Sequence, residues 1–376
     1  MIHKNKHSYT VLGDNEEAWK IYKNLIRSSK KTILIVIWYV FFDDPILIEL
    51  IDLLKEKIDA GIEVTIIYAD SFLQEAELIA NEDSDGISAT LMFTNMMRSV
   101  GAKLISFTSI DPTRSTHRKA LIIDEEIGIL GSRNVNKLYY FPHDRYPESH
   151  IECDILIEDP KIVKKISKIL LSNKKESHID LDDNTSFVQS VPKPKWYDIS
   201  GNNDNPIEDA YEKLISLSKK SIVIVNPSSD YLWPLKIALH KALKRGVKVK
   251  LLVNTYKQTQ IQSVSSRTYF NSLKSFNNFI LQENQSSHLL HAKYAIFDET
   301  VIVIGSFNFD QWSYEKNSEL ILIRKDSVLA DQLSRLTKKI EHKFFSGATR
   351  EQLTKLQKAA AKIVTYALNI IEYIAF

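Results

Sequence analysis

The chain has a single cysteine, Cys153, which excludes an intramolecular disulfide framework and a metal site built from several thiolates. It has almost no net charge. Forty-nine basic residues stand against 47 acidic ones, a formal +2, so no whole-molecule field singles out nucleic acid as a partner. It also lacks a long apolar run near its start. Met1-Ile2-His3-Lys4-Asn5-Lys6 contains no apolar signal core, and residues 32–42 fall short of the roughly 20 apolar residues a spanning helix needs. That run is better taken as a buried strand than as a transmembrane segment. A lone cysteine fits a reducing compartment without requiring one, so the expected location is cytoplasmic or peripheral to a membrane, with secretion left open. What the chain does have is 376 residues, 44% hydrophobic and 26% charged, enough for two ordinary globular domains.

The pattern along the chain repeats. A helix near 16–27, a strand at 32–42, a helix at 46–60 and a strand at 63–69 close on His117. A helix near 207–218, a strand at 221–226, a helix at 234–244 and a strand at 247–253 close on His291. Gly61 and Gly246 stand as stop signals after corresponding helices. Strands alternating with helices imply an α/β fold with parallel strands and crossover helices in each copy. The expected domains are 1–175 and 195–346, joined by a polar linker at 176–194. A C-terminal helix at 347–376 follows, amphipathic through a polar stripe of Lys355, Lys358, Lys362, Thr365, Asn369 and Glu372. Its apolar face either packs on the protein's own core or lies in a membrane interface, and the sequence leaves both open.

Each copy carries one further pattern. In the first, His117-Arg118-Lys119 is followed by Asp124 and then Gly131-Ser132-Arg133-Asn134; in the second, His291-Ala292-Lys293, Asp298 and Gly305-Ser306-Phe307-Asn308 recur at the same spacing. One chance match to six fixed residue types has odds on the order of one in 10^5, so two are not coincidence. If His117 and Lys119 share one face of a short strand, and His291 and Lys293 likewise, an imidazole and an ammonium project together from each copy. Ser132, Asn134, Ser306 and Asn308 are positioned to add hydroxyl and amide donors to the same anion. Were the copies to face each other about a pseudo-twofold axis, this inventory would suit a phosphodiester. One imidazole attacks phosphorus, the other protonates the departing alcohol, and lysine and asparagine donors balance the charge of the transition state. Metal-dependent phosphodiesterases usually gather carboxylates around divalent ions, whereas the paired elements here are cationic, so neither metal nor cofactor is expected.

A histidine nucleophile needs its other ring nitrogen held by a carboxylate. Asp154, before the apolar run 155–157, and Glu319, before 320–323, stand in matching places and are expected to orient the histidines. Asp124 and Asp298 end apolar strands and open turns, which favours a structural carboxylate supporting the site over direct chemistry, although both remain in the candidate catalytic set. The longer segment after the first motif, with Tyr139, Tyr140, Phe141, His143, Arg145 and Tyr146, either caps the site or is a surface loop. His143, His150 and His288 are expected to be polar surface.

These motifs resemble the phospholipase D superfamily, whose signature is this His-X-Lys, Asp, Gly-Ser-X-Asn pair, and the resemblance covers nearly the whole chain. Tyr39-Val40-Phe41-Phe42-Asp43-Asp44, Leu290-His291-Ala292-Lys293, Gly305-Ser306-Phe307-Asn308-Phe309-Asp310 and Asn317-Ser318-Glu319 look most like bacterial cardiolipin synthases and related transphosphatidylases. The resemblance implies two tandem α/β repeats with the active site at their interface. It also implies that a phosphatidyl group is passed to a histidine and then to an alcohol or to water, with His117 as attacker and His291 as acid. A glycerophospholipid is then the substrate, membrane contact runs through the C-terminal helix, and no specific nucleic acid is expected. A nuclease of the same superfamily is the alternative, opposed by the near-neutral charge and the lack of a basic tract with interleaved aromatics.

Overall fold

A computed structural model describes residues 8–38, 40, 44–69, 95–107, 115–172, 177–182, 184–191, 205–228, 233–254 and 273–345. The strands are β1 (Tyr9–Leu12), β2 (Thr32–Ile37), β3 (Glu63–Ala69), β4 (Lys103–Phe107), β5 (Ser115–Thr116), β6 (Ala120–Ile123), β7 (Ile127–Gly131), β8 (Asp154–Ile157), β9 (Ser177–Asp182), β10 (Thr185–Ser190), β11 (Ser221–Val225), β12 (Lys248–Asn254), β13 (Phe279–Asn284), β14 (Tyr294–Phe297), β15 (Val301–Gly305) and β16 (Asn317–Lys325). The helices are α1 (Asn15–Ser28), α2 (Pro45–Asp59), α3 (Lys137–Tyr140), α4 (Pro160–Leu171), α5 (Pro206–Leu217), α6 (Trp233–Lys244), α7 (Gln311–Glu315) and α8 (Ser327–Ile340).

The duplication is explicit in the sheets. The first runs β1-β8-β7-β6-β2-β3-β4 and the second β10-β16-β15-β14-β11-β12-β13, with β9 added beyond β10. Within each sheet's main order β2, β3 and β4, and their counterparts β11, β12 and β13, pair in parallel, while the hairpins that follow the His-X-Lys segments are antiparallel. Each sheet is therefore mixed rather than parallel throughout. The stretch expected to be a linker, 176–194, instead holds β9 and β10, and β10 pairs with β16 as β1 pairs with β8. In its Thr185-Ser186-Phe187-Val188-Gln189-Ser190 two adjacent apolar residues are flanked by polar ones, and Phe187 and Val188 are buried on opposite sides of the sheet, one in the central core and one under the second repeat's helices.

Local chemistry explains the helix starts. Asp44, Asp159 and Asn205 each precede a proline and accept the first free backbone N–H groups of α2, α4 and α5, while the proline has no N–H to leave unpaired. Gly61 and Gly246 end α2 and α6 with φ of +84° and +89°, a left-handed conformation that costs glycine little.

Alternation sorts the strands into layers. Leu34 and Val36 of β2, with Tyr294 and Ile296 of β14, enter one core shared by both sheets together with α4 and α8. Ile33, Ile35 and Ile37 face α1 and α2 in a second core, and Ala295 and Phe297 face α5 and α6 in a third. The two sheets thus meet face to face, with helices on their outer sides. Among the described residues no helix is long and apolar enough to cross a membrane. The C-terminal segment 347–376 lies outside the described residues, as does most of the aromatic segment 39–44.

Candidate active site at the repeat interface

The His-X-Lys segments lie just outside the strands β6 and β14, not within them, and reach across to the other repeat. Thr116 pairs in parallel with Ser318 of β16, and His117 N donates to Ser318 O at 2.9 Å. One residue further on, His117 and Glu319 are brought side by side. The second repeat does the same: Ile151 bridges Leu290, so His291 arrives beside Glu152. His117 Nδ1 lies 2.8 Å from Glu319 Oε1, and His291 Nδ1 lies 2.7 Å from Glu152 Oε1. Each histidine is backed by a glutamate of the opposite repeat.

The two pairs are not equally dressed. Glu319 accepts hydrogen bonds from the hydroxyls of Ser306 and Ser313, the latter at 2.5 Å, and from His117. Glu152 accepts from Ser132 through Oε2, while the Nδ1–H direction of His291 is poorly aligned with Oε1 despite the short separation. Trp38 packs edge-on against His117 with ring centroids 4.6 Å apart, and its Nε1 donates to Ser115 Oγ at 3.2 Å. Tyr139 and His150 stand against His291 at 5.3 and 5.5 Å between centroids.

Lys119 Nζ and Lys293 Nζ donate to the carbonyls of His117 and His291 at 2.6 and 2.5 Å, which fixes each ammonium beside its own imidazole. Burial lowers both lysines, Lys293 to about 8, against the pull of Glu319 and Glu152. Burial, then the two lysines, hold both imidazoles well below the ordinary histidine value and hence neutral. Glu319 is pushed up by burial to about 7, with Lys119 and the serine hydroxyls opposing. Since each histidine feels the lysine of the other repeat, the four groups form one site. Two neutral imidazoles beside two lysine amines are a set of groups that can receive an anion and exchange protons with it.

A family model described as cardiolipin synthase, PLD-like domain, matches residues 22–173 and 211–344. The chain belongs to this phospholipase D-like family. Cardiolipin synthase B of Salmonella typhi is 27% identical over 225 residues, 57% of this chain and 52% of that protein. The probable cardiolipin synthase YwiE of Bacillus subtilis (strain 168) is 26% identical over 337 residues, 86% of this chain and 63% of that protein. The chain thus spans about half to just under two thirds of the length of these curated relatives. The crystal structure of phosphatidylserine synthase from Haemophilus influenzae Rd KW20 shares the fold, with a TM-score of 0.70 at 14% identity over 98% of this chain and 94% of that one.

Within this phospholipase D-like framework several expected residues change place. Asp154 does not orient a histidine. Its carboxylate pairs with Arg133 at 2.7 Å and accepts from Ser132 N at 2.9 Å, and Arg133 also reaches Leu12 O and Asn15 Oδ1. Burial works against the Arg133 charge, but Asp154 and Glu152 outweigh it and hold the guanidinium above its ordinary value. The residue equivalent to Glu319 is Glu152: Gly131 pairs with Asp154 and Gly305 with Ile321, so two residues back on each strand stand Glu152 and Glu319. A β-carbon on Gly131 would lie 2.6 Å from Asp154 Cα, and one on Gly305 2.8 Å from Ile321 Cα, so the motif glycines are there for strand contact.

Asp124 and Asp298 are not brought to the histidines. Each sits with positive φ in a three-residue turn at the far end of the hairpin strand, seven residues and so roughly 20 Å of extended chain from the histidine. The Asp124 carboxylate accepts from the backbone N–H groups of Lys30, Lys31 and Thr32 at 2.7–2.9 Å, and Asp298 from those of Lys219, Lys220 and Ser221 at 2.7–3.1 Å. Partial burial favours the neutral acid, but those N–H groups prevail and lower both carboxyls. The hydroxyls of Ser132 and Ser306 lie on the glutamates, donating to Glu152 and Glu319. Asn134 Nδ2 contacts Tyr139 Oη at 3.3 Å, and the buried Asn308 Oδ1 has no hydrogen-bond partner among the described residues. His150 is not surface: its side chain is 12% exposed. His143 and His288 instead pack on Phe344, away from the glutamates. Trp38 and Ser313 gave no sequence signal, because neither belongs to the repeated pattern.

Proposed function

We propose that the chain is a phospholipase D-type enzyme that transfers or hydrolyses the phosphatidyl group of a glycerophospholipid through a phosphohistidine. The observation that carries this reading is the crossed pair His117–Glu319 and His291–Glu152 between Lys119 and Lys293. The cardiolipin synthase relatives support a lipid as substrate, and the near-neutral charge fits it better than nucleic acid.

The Glu319 carboxylate takes the Nδ1–H of His117, which leaves the Nε2 lone pair outward as the nucleophile. Burial and the positive field of the lysines keep His291 neutral; the phosphodiester anion, held by Lys119 and Lys293, offsets that field and raises the proton affinity of His291. His117 Nε2 bonds to phosphorus, the ester P–O bond breaks, and the departing alcohol takes the proton of His291. In the second step His291 takes a proton from an incoming alcohol or water, whose oxygen bonds to phosphorus as the P–N bond breaks. No step calls on a metal. The apolar face of the 347–376 sequence is proposed to hold the protein at the lipid surface.

The test is incubation with mixed phospholipid vesicles and glycerol in EDTA, read by lipid mass spectrometry, with His117→Ala and His291→Ala beside it. Phosphatidyl-alcohol or phosphatidic acid that disappears in both variants is expected, with a phosphatidyl adduct trapped on His117 in His291→Ala. Unchanged lipid alongside degraded DNA or RNA would replace this reading with the nuclease one.

A further inference from the structure

One side chain next to the site takes no part in that chemistry. His150 lies two residues before Glu152 on an extended stretch, so both side chains leave the same face. His150 Nδ1 stands 3.8 Å from Glu152 Oε1, the same oxygen that lies 2.7 Å from His291 Nδ1, and the three residues each offer a ligand atom within 4.8 Å of the other two. Among the described residues none of the three has a hydrogen-bond partner of proper geometry. The second repeat differs at this point. There the equivalent oxygen, Glu319 Oε1, is taken up by His117 and the hydroxyl of Ser313. In the first repeat the corresponding oxygen faces two imidazole nitrogens, and the third donor is a metal-ligating one.

Two imidazoles and a carboxylate are a donor set for tetrahedral Zn²⁺, leaving a fourth position for water. With bonds of about 2.0–2.1 Å, tetrahedral ligand atoms stand about 3.3–3.4 Å apart. The two carboxylate–imidazole separations of 2.7 and 3.8 Å straddle that value and the two imidazoles offer ligand atoms within 4.8 Å of each other, so side-chain shifts of up to about an ångström would seat the ion. Lys293 beside His291 opposes added positive charge, which selects ions that bond strongly to imidazole over the oxygen-seeking Mg²⁺ and Ca²⁺.

We propose that His150, Glu152 and His291 form a binding site for a late first-row divalent cation, Zn²⁺ foremost, and that filling it inhibits the enzyme. Binding stands on the three side chains alone; inhibition rests on the proposed function. An ion on His291 Nδ1 takes that ring's orienting carboxylate and leaves the proton on Nε2. A metal-bound imidazole is a far weaker acid than imidazolium, and with Nε2 protonated it has no lone pair to accept the acceptor's proton. Both steps lose their acid–base partner.

The experiment titrates EDTA-stripped, desalted protein with Co²⁺, follows the visible d–d absorption, and then displaces Co²⁺ with Zn²⁺. Saturation at one ion per chain is expected, with the intense bands of four-coordination and no competition from Mg²⁺. His150→Gln should weaken binding roughly tenfold or more, and His288→Gln should not. Absence of Co²⁺ bands, or affinity unchanged in a folded His150→Gln, overturns the site. If that variant does not fold, anomalous scattering from Zn²⁺-soaked crystals of the unaltered chain decides: a peak among the three side chains supports the site, and any other result overturns it. In the lipid assay Zn²⁺ should suppress transfer, EDTA should restore it, and His150→Gln should resist. Zn²⁺ bound at these residues with full turnover overturns the inhibition. A chain without lipid activity overturns the proposed function while the Co²⁺ titration still reports on the site.

Discussion

Exchanging Glu152 and Asp154 for their amides separates chemistry from framework within three residues of one strand. Glu152 Oε1 lies 2.7 Å from His291 Nδ1, whereas Asp154 Oδ2 lies 2.7 Å from Arg133 Nη1 in a fully buried ion pair. Glu152→Gln keeps the shape and an oxygen for the Ser132 hydroxyl but removes the charge that stabilises His291 when it carries a proton. The expected loss is roughly 10²–10⁴ in kcat, or about 2.7–5.4 kcal/mol of transition-state stabilisation, with about 1 kcal/mol of fold stability lost. Asp154→Asn leaves the Arg133 guanidinium buried without its counter-charge, at about 3–5 kcal/mol of stability, yet touches neither histidine. Urea unfolding and initial rates of phosphatidyl transfer, on protein verified as folded, read the two effects independently. The crossed assignment is refuted if Asp154→Asn abolishes kcat while unfolding at the original urea concentration, or if Glu152→Gln turns over normally.

Three further outcomes follow from the same geometry. Gly305→Ala places a β-carbon 2.8 Å from the backbone at Ile321 and should cost about 2–4 kcal/mol in urea unfolding, whereas Gly61→Ala, in open space at φ +84°, should cost only about 1–2 kcal/mol. Asp298→Ala removes the acceptor of three backbone N–H groups that water can partly replace; about 1–3 kcal/mol of stability should go, with kcat of the folded protein within about threefold. Lys293 titrates at about 8 in the empty site, so affinity for a phosphate analogue such as vanadate should fall as pH rises through that value. Calorimetric titration across pH 7–10 checks this, and Lys293→Arg should flatten the dependence because a guanidinium keeps its proton.

How much of this could be read from residues alone depends on whether a feature is local or crosses between repeats. The histidine–lysine pairs were visible because they are short, repeated and close in sequence, and the helix stops at Gly61 and Gly246 because glycine reports its own backbone need. The strand β10 was hidden by the polar residues around and within it, since Thr185, Gln189 and Ser190 are buried without being apolar and the strand is specified by the neighbours it pairs with. Glu152 was missed by two positions because two carboxylates, Glu152 and Asp154, precede the apolar run, and only strand register separates them. A signal was available. Matching Glu319-Leu320-Ile321 to Glu152-Cys153-Asp154 keeps a glutamate opposite a glutamate, and Arg133, unmatched by Phe307, is the basic residue that a buried Asp154 requires.

That register also explains why the two copies cannot be considered two half-sites that happen to meet. The parallel contacts Thr116·Ser318 and Ile151·Leu290 end one residue short of each histidine, so the bridge between repeats and the alignment of the imidazole are the same piece of backbone. Shifting either bridge by one residue would turn the glutamate to the other face of its strand and leave the histidine beside an apolar neighbour, Leu320 or Cys153. The central core shared by the two sheets fixes that register from both sides, with Phe187, Leu320 and Leu322 of the second repeat packed among Ile155, Ile122 and Leu130 of the first. Hydrophobic contact far larger than the site therefore sets a hydrogen bond of 2.8 Å. The same constraint lets the copies diverge where the chemistry allows, with Ser313 closing one glutamate and His150 left beside the other.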